Sequence, residues 1–208
     1  MKKKKFLLLS LTLSLLLLFV SCKGDAKITL KENGSVSFSF SGFLGDAFQE
    51  MMSGAGGDLS SVDEKGIAQA LKESGFENIN VDVDAKNNLI NINFEDKQRD
   101  SYLFTENIVQ VKGDSLDLSL TAQQFVRLYE LSGDDIISLL DLFISPVLND
   151  EEMSEEEYIE TVEVTYGGDV GKELRESNVN FVITDKKGKT KSKSVYATSI
   201  FCGVPLKL

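Results

Sequence analysis

The stretch Lys27-Ile28-Thr29-Leu30-Lys31-Glu32-Asn33-Gly34-Ser35-Val36-Ser37-Phe38-Ser39-Phe40-Ser41 decides how this chain folds. Apolar and polar residues alternate on both sides of Asn33-Gly34, and Asn-Gly between two alternating runs is a strong short-range hairpin signal. Val36, Phe38 and Phe40 share one face, so the hairpin has a side to bury. The same signature recurs downstream. Residues 79–84 and 89–95 alternate about Ala85-Lys86-Asn87-Asn88, and residues 108–111 and 116–120 pair about Lys112-Gly113-Asp114-Ser115. A closing hairpin runs over 179–184 and 191–202 with its turn at 185–189. Residues 158–166 also read as a long strand, with Val162 and Val164 on one face.

Helical spacing separates these hairpins. Leu44, Ala47, Phe48 and Met51 fall on one helical face, and Ser53-Gly54-Ala55-Gly56-Gly57 breaks the pattern. Ser61-Val62-Asp63-Glu64 has capping-box spacing ahead of Ile67, Ala70 and Leu71, with Gly75 as the stop. Thr121-Ala122-Gln123-Gln124 opens a third helix carrying Phe125, Leu128 and Tyr129. Strand pairs and helices alternating in blocks predict an α+β fold, in which antiparallel β-hairpins form a sheet with several helices packed on it.

Ahead of this domain stand Lys2, Lys3, Lys4 and Lys5, then an uncharged, mostly Leu run over 6–20, then Ser21-Cys22. A basic start, a short apolar run and a small residue at the cut describe a bacterial export signal. At about 1.5 Å per residue the run reaches about 22 Å, short of the roughly 30 Å of a hydrocarbon core. Cys22 directly after Ser21 resembles a lipoprotein signal, although Phe19 and Val20 stand where that family prefers Leu and a small residue. The resemblance implies that residues 1–21 are removed and that Cys22 becomes a lipidated N-terminus, carrying a diacylglyceryl group and often a third, amide-linked chain. Two or more acyl chains hold firmly where one holds marginally. Residues 22–26 then read as the lipidated Cys and a short tether, and residues 27–208 as a single extracytoplasmic domain. Lys23 occupies the place where some bacteria put an inner-membrane retention Asp, which favours the outer membrane where one exists.

The whole chain has 22 Lys and Arg against 33 Asp and Glu, a net charge of −11. Removing Lys2, Lys3, Lys4 and Lys5 with the signal leaves 22 − 4 = 18 cations against 33 anions, a charge of −15. Nucleic acid and anionic surfaces repel such a body. There is no His and no Trp. Without His the commonest general base and transition-metal ligand is missing, which argues against hydrolase triads and zinc sites. Asp82, Asp84, Asn87 and Asn88 do not make a calcium loop, because Lys86, Asn87 and Asn93 occupy positions that should hold a ligand, a glycine and a closing Glu. The sequence thus implies no enzyme, no cofactor and no metal. With Cys22 lipidated, Cys202 has no intramolecular partner and reads as a buried thiol in an apolar strand-like run; with Cys22 free, a Cys22–Cys202 disulfide becomes conceivable.

Candidate binding residues come from apolar surfaces. Residues 136–148 carry only Ser138, Asp141 and Ser145 as polar side chains, three and four apart, so a helix there is apolar on nearly all sides until Pro146 ends or kinks it. Either it is a central core helix, or one side, with Ile136, Leu140 and Phe143, lines a lipid-sized cavity or meets a partner. Phe48 and Met51 join that set if their helix acts as a lid; otherwise they pack on the sheet. Asp150, Glu151, Glu152, Glu155, Glu156 and Glu157 read as a solvated acidic loop, and Gly167-Gly168-Asp169-Val170-Gly171 as another loop. The five Lys at 186, 187, 189, 191 and 193 read as a solvated turn or as a contact for anionic headgroups or an acidic partner.

Two pieces together resemble the LppM-like domain of bacterial envelope proteins. They are the strand pair turning at Asn33-Gly34, and Val162-Glu163-Val164-Thr165-Tyr166-Gly167-Gly168-Asp169-Val170 followed by Ser177-Asn178. The resemblance implies an anchored extracytoplasmic α+β domain without known catalysis, and assigns no functional residue. The expected function is a membrane-anchored lipoprotein whose domain binds an apolar or lipid-like ligand or an envelope protein; the alternative is a structural or surface component acting through protein contacts.

Overall fold

The computed structural model describes residues 23–54, 59–130, 145–146, 149 and 152–208. β1 (Lys23–Leu30) and β2 (Val36–Phe43) form the opening hairpin in antiparallel register, Ile28 opposite Phe38 and Leu30 opposite Val36. Its turn closes where Gly34 N donates to Lys31 O at 2.9 Å, and Gly34 takes φ +87, a conformation open to a residue without Cβ. β3 (Glu77–Asp84) and β4 (Leu89–Asp96) form the second hairpin, β7 (Asn178–Thr184) and β8 (Thr190–Tyr196) the last. These six strands make one sheet in the order β3-β4-β2-β1-β7-β8. All its pairings are antiparallel except β1 with β7, which are parallel with Ala26 opposite Phe181. A smaller antiparallel sheet holds β5 (Val109–Lys112), β6 (Ser115–Leu120) and β9 (Leu206–Lys207), in that order.

One face of the large sheet is the core. Ala26, Ile28 and Leu30 on β1, Val36, Phe38 and Phe40 on β2, Ile90, Ile92 and Phe94 on β4, and Val179, Phe181 and Ile183 on β7 are all buried. Register places them on one side, as period-2 alternation requires. Helices supply the other layer. α1 (Asp46–Gly54) contributes Leu44 from its lead-in and Phe48, α2 (Glu64–Glu73) contributes Ile67 and Leu71, and α3 (Tyr102–Thr105) contributes Leu103. α4 (Ala122–Glu130) adds Phe125, α5 (Glu155–Tyr166) adds Tyr158, Ile159 and Val162, α6 (Gly168–Glu176) adds Val170 and Leu174, and α7 (Ala197–Phe201) adds Ile200 and Phe201. The fold is α+β, with a mixed six-stranded sheet where only antiparallel hairpins were expected.

Four local expectations are overturned. Residues 158–166 are a helix, because Tyr158, Ile159 and Val162 bury the face that spacing of one and four creates while Val164 stays 89% exposed. The acids Glu155, Glu156 and Glu157 are its first turn rather than a loop. Ser154 Oγ accepts from Glu157 N at 3.3 Å and the Glu157 carboxylate accepts from Ser154 N at 3.0 Å, a capping box at the end of the helix that favours negative charge. Of the glycine-rich stretch expected as a loop, only Gly167 is a break between helices, turning at φ +105, while residues 168–171 open α6. Finally, β8 stops at Tyr196, and the apolar run that follows is the short helix α7 instead of more strand.

Smaller revisions follow the same logic. The second helix is capped by Asp63, whose carboxylate accepts from Gly66 N at 2.9 Å, in place of Ser61. The capping box at Thr121 forms as expected, Thr121 N donating to Gln124 Oε1 at 2.9 Å and Gln124 N to Thr121 Oγ1 at 3.2 Å. Lys23, Gly24 and Asp25, expected in a tether, are the first residues of β1.

Candidate interaction faces of the sheet

The second face of the large sheet carries mostly short polar side chains, because between the core positions the strands hold mainly Ser, Asn, Thr, Asp and Lys, with Val182 on β7 an apolar exception. Register lines them up in rows. Asp82, Asn91, Ser41, Asp25, Asn180 and Ser194 form one row; Asn80, Asn93, Ser39, Lys27, Val182 and Ser192 form the next. Neighbours within a row hydrogen-bond, Asn180 Nδ2 donating to Asp25 Oδ1 at 3.0 Å and Asn91 Nδ2 to Asp82 Oδ2 at 3.4 Å. Such rows make a flat, hydrogen-bonding surface with little apolar area.

The two ends of this face differ. At the end where β1 begins, the row is Asp84, Leu89, Phe43, Lys23, Asn178 and Tyr196. Phe43 is 38% and Tyr196 56% exposed. At the other end a carboxylate is buried. Glu95 accepts from Lys31 Nζ at 2.7 Å, from Asn78 Nδ2 at 2.7 Å and from Ser35 Oγ. The Lys31 bond, then those of Ser35 and Asn78, hold its pKa down to about 2. These bonds tie the β1–β2 turn to the start of β3, a structural role for a group that sequence alone left as one more polar strand residue.

The lysine-rich turn between β7 and β8 lies at that far end. Thr184 and Thr190, which flank it, sit in the row of Thr29, six residues along β1 from Lys23 and so roughly 20 Å away at 3.3 Å per residue. Its shape comes from Asp185, whose Oδ1 accepts from Lys187 N at 2.9 Å and Lys189 N at 2.8 Å. Lys187 pairs with Asp114 at 3.1 Å and Lys191 with Asp117 at 3.2 Å, so part of the basic patch clips β7 and β8 onto the β5–β6 hairpin. Lys191 and Lys193 also sit on an edge strand, where charge discourages a second chain from pairing.

The expected ligand residues divide. Phe48 is fully buried in the core, and Met51 is half-buried and packs against it. Ile136, Leu140 and Phe143, like Cys22, lie outside the described residues. An open groove of about 690 Å³ runs between α2 and β3, lined by Lys65, Gln69 and Lys72 on one side and Phe76, Glu77 and Ile79 on the other; neither Phe48 nor Met51 reaches it.

Cys202 is half-buried in contact with the core, and burial, with the nearby Glu155 carboxylate second, pushes its thiol up to about 11. Glu155 itself is engaged, accepting from Thr198 Oγ1 at 2.6 Å and Ser199 Oγ at 2.7 Å to tie α5 to α7. A thiol so poor in thiolate is a weak nucleophile. Alkylation of native protein by iodoacetamide at pH 8 is expected to run about 100-fold slower than that of an ordinary thiol, and to become ordinary in urea. A fast native reaction would contradict this environment. No protein-family model, curated protein or solved structure matches the chain.

Proposed function

We propose that the protein is a lipid-anchored extracytoplasmic component of the bacterial envelope whose α+β domain is a non-catalytic binding or interaction module. One observation carries the reading: Lys23, which follows Cys22 directly, is already the first residue of β1. A Lys-rich start, a leucine run and Ser21-Cys22 abutting a structured strand fit a signal cut at the edge of a folded domain, with the lipid on the first residue. The absence of His in the sequence and the elevated Cys202 thiol support a role without nucleophilic catalysis.

Intact mass of protein from the native membrane is expected to show loss of residues 1–21 and the added mass of a diacylglyceryl group, with or without a third acyl chain. Cys22→Ser is expected to abolish that mass. An unmodified Cys22, or the leader still attached in the wild-type protein, overturns the reading. For the ligand we propose an apolar or lipid-like molecule bound through Ile136, Leu140 and Phe143. Mass spectrometry of the purified protein is expected to find co-purifying lipid, and a clean apo protein counts against it.

The polar rows of the open sheet face favour a second reading, a structural component working through protein contacts. Crosslinking on cells separates the two: a scaffold traps one dominant partner, and a lipid carrier does not.

A further inference from the structure

The row at the start of β1 combines features that suit a bilayer surface. It lies one residue from Cys22, and it presents Phe43 and Tyr196 on either side of Lys23. Among the described residues four large apolar side chains are markedly exposed, Phe43, Val164, Tyr196 and Val204, and two of the four are in this row. An aromatic ring with a polar tip and a long cation with an apolar stem are the side chains that settle at the headgroup level. The neighbouring charges decide which bilayer. Asp84 closes the same row, Asp25 lies one row inward and Asp46 opens α1, so this end suits zwitterionic headgroups and is repelled by anionic ones.

We propose that Phe43, Lys23 and Tyr196 form a membrane-seating edge, resting in the headgroup layer of a zwitterionic bilayer. The inference rests on the lipid-anchor reading. It stands the large sheet on end, with β1 running away from the membrane. The lysine turn between β7 and β8 then points outward, roughly 20 Å or more from the surface. That placement keeps the turn out of reach of the headgroups.

The sequence has no Trp, so a single introduced one reports its own depth. Three full-length variants, Phe43→Trp, Tyr196→Trp and Thr190→Trp, are purified in lipidated form and reconstituted into phosphatidylcholine vesicles with or without bromine on the upper acyl carbons. Emission of the Phe43→Trp and Tyr196→Trp proteins is expected to fall by roughly half in brominated vesicles, while the Thr190→Trp protein at the far end is unchanged. Tyr196 is the more exposed position and keeps the test decisive should Phe43→Trp fold poorly. Adding phosphatidylglycerol is expected to weaken the quenching. If intact mass shows the lipid and neither row position is quenched, the seating edge is wrong and the anchor stands. Equal quenching at Thr190→Trp means the domain lies flat, which also overturns the proposal. An unmodified Cys22 overturns both.

Discussion

Phe94→Ala is expected to cost about 3–5 kcal/mol, the range for deleting a fully buried aromatic ring. Phe94 is 2% exposed and is the hub of the aromatic core. Its ring stacks on Phe38 at a centroid distance of 4.9 Å, and meets Phe76 at 4.6 Å and Phe40 at 5.8 Å. Phe38 and Phe40 come from β2, Phe94 from β4 and Phe76 from the loop after α2, so the hole would open where strands and helix layer meet. Removing the ring loses its transfer energy and leaves three neighbours facing a void that packed backbone cannot fill. Domains hold roughly 5–15 kcal/mol in total, so the variant should melt about 10 °C or more below the wild type. Urea unfolding followed by circular dichroism should show a lower midpoint with an unchanged slope. A loss under about 1 kcal/mol would mean that the ring is not packed as described.

Glu95 comes second, and its effect depends on pH. Its carboxyl is held to about 2 against an ordinary 4.5 by Lys31, Ser35 and Asn78. A lowered carboxylate pKa stabilises the fold fully above the ordinary value. That contribution is lost as pH falls from 4.5 towards 2, where the folded state must also take up the proton. Glu95→Ala is expected to cost about 2–3 kcal/mol at pH 7, since it removes three bonds to a charged acceptor, one of them from the buried Ser35. Glu95→Gln keeps the shape and should cost less. The informative comparison is the pH profile: wild-type stability should drop between pH 4.5 and 2 by more than that of Glu95→Gln, and parallel profiles would exclude the network as the cause.

Much of the fold was written locally. The hairpins follow from period-2 alternation and from turn residues that tolerate positive φ, so β1–β2, β3–β4 and β5–β6 could be placed to within a few residues. What failed was non-local or ambiguous. Nothing in residues 23–29 or 178–184 announces that they pair side by side in parallel, because that contact is separated by most of the chain and leaves no turn signal between them. In 158–166, Val162 and Val164 imitate strand alternation, while Tyr158, Ile159 and Val162 equally fit a helix. The arbiter was Ser154 with Glu157, a capping box hidden inside a run of acids. The seating edge was less legible still. Phe43 and Tyr196 lie far apart in sequence, and only the path from β2 through β1 and β7 to β8 sets them in one row with Lys23.

β1 is an interior strand, hydrogen-bonded to β2 on one side and to β7 on the other. Ladder bonds run across the strand direction, so a tug applied at residue 22 and directed along β1 meets the rungs on both flanks sideways and strains them together. A tail leaving from β8 or β3 would instead let an outer strand peel away rung by rung. Under the anchor proposed above, the load enters the body in shear through an interior strand.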